Sequence, residues 1–396
     1  MNTPLASADW PHRSGLAALI KALGSQHIRW VGGAVRDTLL GLEVRDVDCA
    51  TTHTPDLVID RCNEAGIKTV PTGIDHGTVT AVLADGPVEV TTLRRDVATD
   101  GRRATIAFAS EWRDDAARRD FTINALYADP ETLEISDYFG GLDDLADRRV
   151  RFIGDARERI AEDHLRILRY FRFQARFGSE LDEEAEDACA SLADTLKGLS
   201  RERVASELLA LLSLPDPHPA VTRMHNLGVW PVIMPETVAA HLESLTQLIT
   251  AERDQDIAPD AVRRFASLLP PSPDVAESVA ARLRLSKAQR ARLVSATQRL
   301  SQDAEDPKAL AYRLTPEFAA DRLLLLGADA TVISAWQPPS FPLKGGAIVA
   351  RGVAAGPEVA RILRSVEKRW IKEGFPPSER VEELLEAELI NNQAAS

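Results

Sequence analysis

Between residues 28 and 92 the apolar positions fall in short β-branched runs, at 28–31, 44–47, 78–83 and 88–92, bounded by Gly, Pro and Asp. Runs of that composition between turn-forming residues predict strands. Two stretches between them, 34–40 and 54–65, space their apolar residues at helical intervals and stop at Gly41 and Gly66. A glycine just past the last periodic residue is a usual helix stop, because it enters the left-handed conformation without a Cβ penalty. Beyond about Val150 the strand pattern fades, and a 3.6-residue period predicts helices over 155–177, 183–197, 201–212, 219–227 and 259–268. Proline-rich breaks at 215–219, 270–273 and 338–342 mark candidate boundaries. The pattern predicts an α+β domain over residues 1–150, then helical segments over 151–214 and 215–396. Strands and helices alternate incompletely, so a doubly wound parallel sheet is not implied.

Composition narrows the class without changing that outline. Of 396 residues, 44% are hydrophobic and 27% charged, the balance of a soluble globular chain with ample core. No run approaches the ~20 apolar residues of a membrane helix, and the N-terminus lacks the basic-then-apolar order of a signal peptide. Cys49, Cys62 and Cys189 are widely spaced and form no C-x-x-C pair, which points to reduced thiols and a cytoplasmic location. The net charge of -13 weighs against a polyanionic partner. Its distribution weighs the other way: residues 166–176 hold four arginines and no acid, and acids crowd 180–187 instead.

The clearest chemistry begins where the first predicted strand ends in Gly32-Gly33 and a helix starts with Ala34-Val35-Arg36-Asp37. Glycines at a strand-to-helix turn let backbone N–H groups approach a phosphate, and Arg36 lies one turn in. Taken alone, the turn is more often only a turn. Asp46 and Asp48 follow on the next predicted strand, where alternation puts both on one face about 7 Å apart. Two carboxylates that close call for a cation, and hard oxygen ligands suit Mg²⁺ in phosphoryl or nucleotidyl transfer. Glu89, set between Val88 and Val90, is a third candidate whose face is either the metal's or the solvent's. Asp163, Arg166, Arg169 and Arg172 are spaced by three on a predicted helix. A carboxylate beside a guanidinium reads an amine next to an acceptor, the edge shared by cytosine and adenine. An ion-paired solvated face is the alternative for that spacing.

These residues resemble a known family. Val31-Gly32-Gly33-Ala34-Val35-Arg36-Asp37 with Asp46-Val47-Asp48 is similar to the first motif of bacterial CCA-adding tRNA nucleotidyltransferases and their poly(A) polymerase relatives. Arg118-Arg119-Asp120-Phe121-Thr122-Ile123-Asn124-Ala125 resembles the second motif, and Asp137-Tyr138-Phe139-Gly140-Gly141-Leu142-Asp143-Asp144-Leu145 the third. Glu162-Asp163-His164-Leu165-Arg166, continuing to Arg169 and Arg172-Phe173, resembles the fourth. The resemblance spans residues 31–177, under half the chain.

What the resemblance implies is a DNA polymerase beta-type nucleotidyltransferase head, followed by an all-helical neck, body and tail. It implies ATP and CTP as substrates, Mg²⁺ as cofactor and the 3′ end of tRNA as acceptor. Carried over residue by residue, Gly33 and Arg36 touch the nucleotide, and Asp46 and Asp48 hold the metal as catalytic residues. Arg119 contacts the triphosphate, Asp163 and Arg166 read the base, and Arg169 and Arg172 help bind the nucleotide. Residues 94–106, with Asp96, Asp100, Gly101, Arg102 and Arg103, read as a mobile polar loop, which in related enzymes helps the switch from C to A addition. Asp137 to Leu145 reads as a turn leading into a helix, and Arg201 and Arg203 as helix-capping or phosphate-contacting residues. A poly(A) polymerase is the nearest alternative. A non-catalytic RNA-binding relative and a small-molecule nucleotidyltransferase stand further off.

Overall fold

The computed structural model describes residues 4–99 and 104–394. Contacts divide the chain into two units, residues 1–235 and 236–396.

The first unit opens with α1 (Ser14–Leu23), β1 (Ile28–Val31), α2 (Gly33–Leu39), β2 (Val47–Thr51) and α3 (Pro55–Glu64). There follow β3 (Lys68–Gly73), β4 (Thr78–Leu83), β5 (Gly86–Thr92), β6 (Arg94–Thr99), β7 (Ala104–Phe108) and α4 (Trp112–Ala117). Then come β8 (Leu126–Ala128), β9 (Ile135–Asp137) and α5 (Gly141–Ala146). Seven strands form one sheet in the order β3-β4-β5-β2-β1-β8-β9. The β2–β5 ladder is parallel, while β1–β2, β4–β5 and β1–β8 are antiparallel. The alternating burial of β5, with Val88, Val90 and Thr92 inward, is what a sheet with one covered face requires.

Three sequence expectations change here. The second strand runs from Val47 to Thr51 rather than over 44–47. Ladder partners begin there, with Val88 on β5 for Val47 and then Val31 on β1 for Asp48. Glu43, Arg45 and Asp46 stay exposed in an irregular segment. The polar loop is a ribbon: β6 and β7 pair antiparallel from Arg94 with Phe108 to Thr99 with Ala104. Asp100, Gly101, Arg102 and Arg103 lie outside the described residues. Strands β3, β8 and β9 were not predicted. β8 and β9 have three residues each and β3 is mostly exposed, so no long apolar run announces them.

The rest of the first unit is helical: α6 (Ala156–Glu162), α7 (Arg166–Phe177), α8 (Glu183–Ser191), α9 (Arg201–Leu212), α10 (His218–Asn226) and α11 (Val229–Ile233). The long helix predicted over 155–177 is broken at Asp163, whose φ of -149° and ψ of 103° are extended. Its carboxylate accepts the Leu165 N–H, capping the turn that leads into α7. Helix 183–197 likewise shortens to α8 plus a 3-10 turn. An aromatic cluster fastens α7 to the sheet side of the unit. Phe121 lies 4.9 Å from Phe152 and 5.1 Å from Phe173, and Phe152 stacks on Tyr170 at 5.8 Å.

The second unit is built from α12 (Ala239–Asp254), α13 (Ala261–Ser267), α14 (Pro273–Arg282), α15 (Lys287–Thr297), α16 (Pro307–Arg313) and α17 (Pro316–Leu325). It continues with α18 (Gly345–Val349), α19 (Pro357–Lys372) and α20 (Ser378–Ala394). One core gathers Leu248, Leu310, Leu323 and Ile333, and another gathers Ile362, Val366, Trp370 and Leu385. Among the described residues no helix is long and apolar enough to cross a membrane.

Candidate active site

The parallel ladder sets Asp48 on β2 directly beside Glu89 on β5. Paired residues in neighbouring strands share a face. Val47 and Cys49, with Val88 and Val90, turn to the opposite, buried face. Burial pushes the Asp48 carboxyl up to about 6, with Glu89 and Asp46 adding to the rise and Arg119 opposing it. Asp46 reaches this group from the irregular segment before β2, so strand alternation is not what pairs it with Asp48.

Between β1 and α2 the chain turns at Gly32, whose φ of 64° and ψ of -120° suit glycine alone. A Cβ there would also lie 3.2 Å from Arg119 Nη1. Gly33 begins the helix under no such constraint. Arg36 is buried, donates from Nε to Asp37 at 2.7 Å and from Nη1 to Asn124 at 2.5 Å, and lies over the rings of Phe173 and Phe177.

The second motif forms a tight turn in which each charge has an assigned partner. Asp115 on α4 accepts from Arg118 at 2.7 Å, from Arg119 at 3.2 Å and from the Tyr127 hydroxyl at 2.6 Å. Burial acts to raise the Asp115 carboxyl, but Arg119, Arg118 and Tyr127 bring it down to about 2. Arg119 is held well above its ordinary value: burial opposes this, and Tyr127 and Asp115 outweigh it. Asp120 does not hold Arg119. It accepts from the Phe121 N–H, from Asn124 and, at 2.6 and 2.8 Å, from Arg169 on α7. Two further arginines clasp the same turn: Arg159 donates to the Arg119 carbonyl and Arg166 to the Arg118 carbonyl.

Asp163 Oδ2 accepts from Arg203 on α9 at 2.7 Å, so Arg203 braces this carboxylate. Arg169 and Arg172 share Glu207, also on α9, at 3.5 and 2.6 Å. Arg166 pairs with Glu162 and Arg176 with Asp37. All four arginines of 166–176 are thus neutralised by acids from other segments. The third motif is a turn as expected: Asp137 accepts from the amides of Phe139, Gly141 and Leu142. A Cβ on Gly141 would meet the Thr122 carbonyl at 2.3 Å, so glycine lets this turn pack on the second motif.

A cleft of about 450 Å³ collects these groups. Gly33, Arg36, Asp48, Glu89, Arg119, Asp163, Arg166 and Arg169 all line it. Asp46 and Arg172 are not among its lining residues. They line an adjoining groove that also contains Asp48.

The chain matches the family described as the poly A polymerase head domain over residues 28–151. It matches the probable RNA and SrmB-binding site of polymerase A over 178–240. The mitochondrial CCA tRNA nucleotidyltransferase of Mus musculus is 34% identical over 389 residues, covering 91% of this chain and 87% of that protein. The chain belongs to the CCA tRNA nucleotidyltransferase family. A CCA-adding enzyme of Streptococcus pneumoniae is 43% identical over 188 residues, 47% of this chain and 46% of that protein. Because a mitochondrial eukaryotic enzyme matches over most of the chain, the bacterial qualifier of the sequence resemblance is not supported. The crystal structure of the Bacillus stearothermophilus CCA-adding enzyme in complex with CTP superposes with a TM-score of 0.78 at 25% identity, covering 98% of this chain and 100% of that one. The fold is the polymerase beta-type head with helical extensions that the motifs implied.

Within this CCA tRNA nucleotidyltransferase the carboxylates fit a divalent cation. Asp48 faces two other carboxylates, a repulsion that a bound cation relieves. Among the described residues no three His, Cys, Asp or Glu side chains gather into a cage. Mg²⁺ takes one or two carboxylates and completes its shell with water and substrate phosphates. The sequence reading missed Asp115, Tyr127 and Glu207. Asp115 was findable, since it stands three and four residues before Arg118 and Arg119. Nothing in the sequence ties Glu207 to arginines 35 and 38 residues away.

Proposed function

We propose that this protein transfers CMP and AMP from CTP and ATP to the 3′ end of tRNA without a template, building or repairing the CCA terminus. The observation that carries this reading is the single cleft lined together by the Asp48–Glu89 pair, Arg119, Asp163 and Arg166. Residues 1–150 act as the nucleotidyltransferase head, 151–214 as the base-selecting neck and 215–396 as the RNA-binding body and tail.

The RNA 3′-oxygen forms a bond to the α-phosphorus. The bond to the bridging oxygen breaks, pyrophosphate leaves with the electron pair, and the hydroxyl proton passes to solvent. Asp46 and Asp48 would hold Mg²⁺, which when bound neutralises phosphate charge and eases loss of that proton. Arg119, oriented by Asp115 and Tyr127, faces the charge that develops on the phosphates. Arg36 and Arg169 position the turn and the α7 helix around the nucleotide. Asp163 accepts from an exocyclic amine and Arg166 donates to the neighbouring acceptor, which admits C and A and rejects U and G. Three buried free thiols suit a reducing compartment, for which we propose the cytoplasm.

The experiment incubates the protein, Mg²⁺ and tRNA lacking CCA with each nucleotide and sequences the products. Two C residues with CTP, completed by one A when ATP is added, are expected. No extension sinks the reading, and long A-only tails on any RNA replace it with poly(A) synthesis.

A further inference from the structure

The two side chains that face the base edge are held to very different degrees. Arg166 is buried and donates to the carbonyls of Arg118 and Arg159 and to the Glu162 carboxylate, so three acceptors fix its fork. Asp163 is half-buried. Its Oδ1 accepts the Leu165 N–H at 3.1 Å, a bond within its own turn. Its Oδ2 accepts from Arg203 Nη2 at 2.7 Å, and that donor comes from 40 residues away, on α9. We propose that Arg203 is a positioning residue for base selection: it fixes the plane of the Asp163 carboxylate, so that the incoming base must present an exocyclic amine. The proposal rests on the nucleotidyl-transfer reading above, in which Asp163 accepts that amine.

The torsion that turns an aspartate carboxylate is broad, so a bond to one oxygen leaves the plane free to swing. A donor on the other oxygen removes that freedom. Each carboxylate oxygen has two lone pairs, so Leu165 and Arg203 take one on each oxygen and leave one on each for a ligand. Uracil and guanine present a carbonyl where cytosine and adenine present the amine. A fixed carboxylate repels that carbonyl, and a swinging one escapes it. The fold holds Arg203 ready for this task. Its own N–H donates to the Ser200 hydroxyl, so Ser200 caps α9 and the Arg203 side chain is not needed there. One helical turn on, Glu207 takes Arg169 and Arg172. Residues four apart share a helix face, so α9 offers a cation and then an anion to Asp163 and then to the arginines of α7. Sliding one helix by a turn would oppose Arg203 to an arginine, so the charges admit one register. Arg203 lines neither the nucleotide cleft nor the groove beside it, and it acts on the nucleotide through Asp163. The pair is half-exposed, where ion pairs add little stability, so its loss leaves the fold standing.

The test measures kcat/KM for the first C added to tRNA lacking CCA, with CTP, with UTP and with the CTP analogue whose 4-amino group is replaced by hydrogen. The unmodified protein is expected to prefer CTP to the analogue. Arg203→Ala is expected to lower CTP use about ten-fold, the size of one charge-assisted hydrogen bond, while use of the analogue stays within about two-fold. The margin of CTP over UTP narrows with it. Arg203→Met, which keeps the apolar stem and drops the guanidinium, decides by the same comparison if Arg203→Ala does not fold. An equal fall for CTP and the analogue would make Arg203 a prop for the fold and overturn the proposal. So would a fall confined to the KM for RNA, which marks a phosphate contact, or no change with any substrate. An unmodified protein that uses the analogue as well as CTP overturns Asp163 as the amine reader instead, a result separable from the others because it needs no variant.

Discussion

Gly32 and Asp115 show how single residues prepare the site. At Gly32 the backbone occupies a region that charges a side-chain-bearing residue about 1–3 kcal/mol. Gly32→Ala should lower unfolding stability by that amount in urea titrations and push Arg119 aside. Gly33→Ala, whose nearest neighbour would be Arg36 Nη2 at 3.8 Å, should leave stability unchanged. Equal effects of the two would refute the strain argument. Asp115 is depressed to about 2 in the folded state, against about 3.9 in an unfolded chain. Its folded carboxylate thus contributes stability that is complete above about pH 4 and disappears as pH falls through about 2. Unfolding free energies of the native protein and Asp115→Asn should differ by about 2 kcal/mol near neutrality from this linkage, and converge toward pH 2. A gap that persists unchanged at pH 2 would show that the carboxylate's charge is not its source.

Among the elements, the junction between the second-motif turn and α7 matters most. Arg159 on α6 and Arg166 and Arg169 on α7 all donate into residues 118–120, so both helices are tied to the turn that carries Arg119. Breaking one tie leaves a guanidinium half out of water with part of its partnership lost. Asp120→Ala should cost about 2 kcal/mol, below the figure for a fully buried pair because Arg169 keeps Glu207 and some solvent. The KM for CTP should rise with it. If stability falls while the CTP KM stays fixed, the clasp holds the fold without shaping the site. The break at Asp163 belongs to the same scale. Periodicity reads the segment as one helix, but an aspartate that caps the following turn ends α6 and frees its own second oxygen for Arg203.

At the scale of the whole molecule, the net charge of -13 hides a pattern in which arginines are buried with acids. In the second unit Glu252, 2% exposed, accepts from both Arg263 and Arg264, and Asp321, 1% exposed, from Arg263 and Arg292. Such a network costs desolvation to build, and removing one member strands the others. Glu252→Gln should destabilise this unit by about 3 kcal/mol, read as faster amide exchange in α12 and α13. Unaltered exchange there would mean that the buried charges find other partners. The same principle explains why arginines 166–176, a basic run in one dimension, do not make a basic face in three. Each is met by an acid from another segment.

What the sequence determined by itself is local or repetitive: the glycine turn, the helical half and the order of the four motifs, each set by neighbours within a few residues. Asp48, Arg119, Asp163 and Arg166, each singled out by its place in a short motif, all line one cleft. The tertiary structure decided which strand Glu89 stands beside, where β2 begins, and that Asp46 and Arg172 border a groove apart from Arg119. Those outcomes depend on ladder partners and ion pairs that the chain brings together from distant positions. Their energies come from burial and desolvation, which exist only once the fold has closed around them.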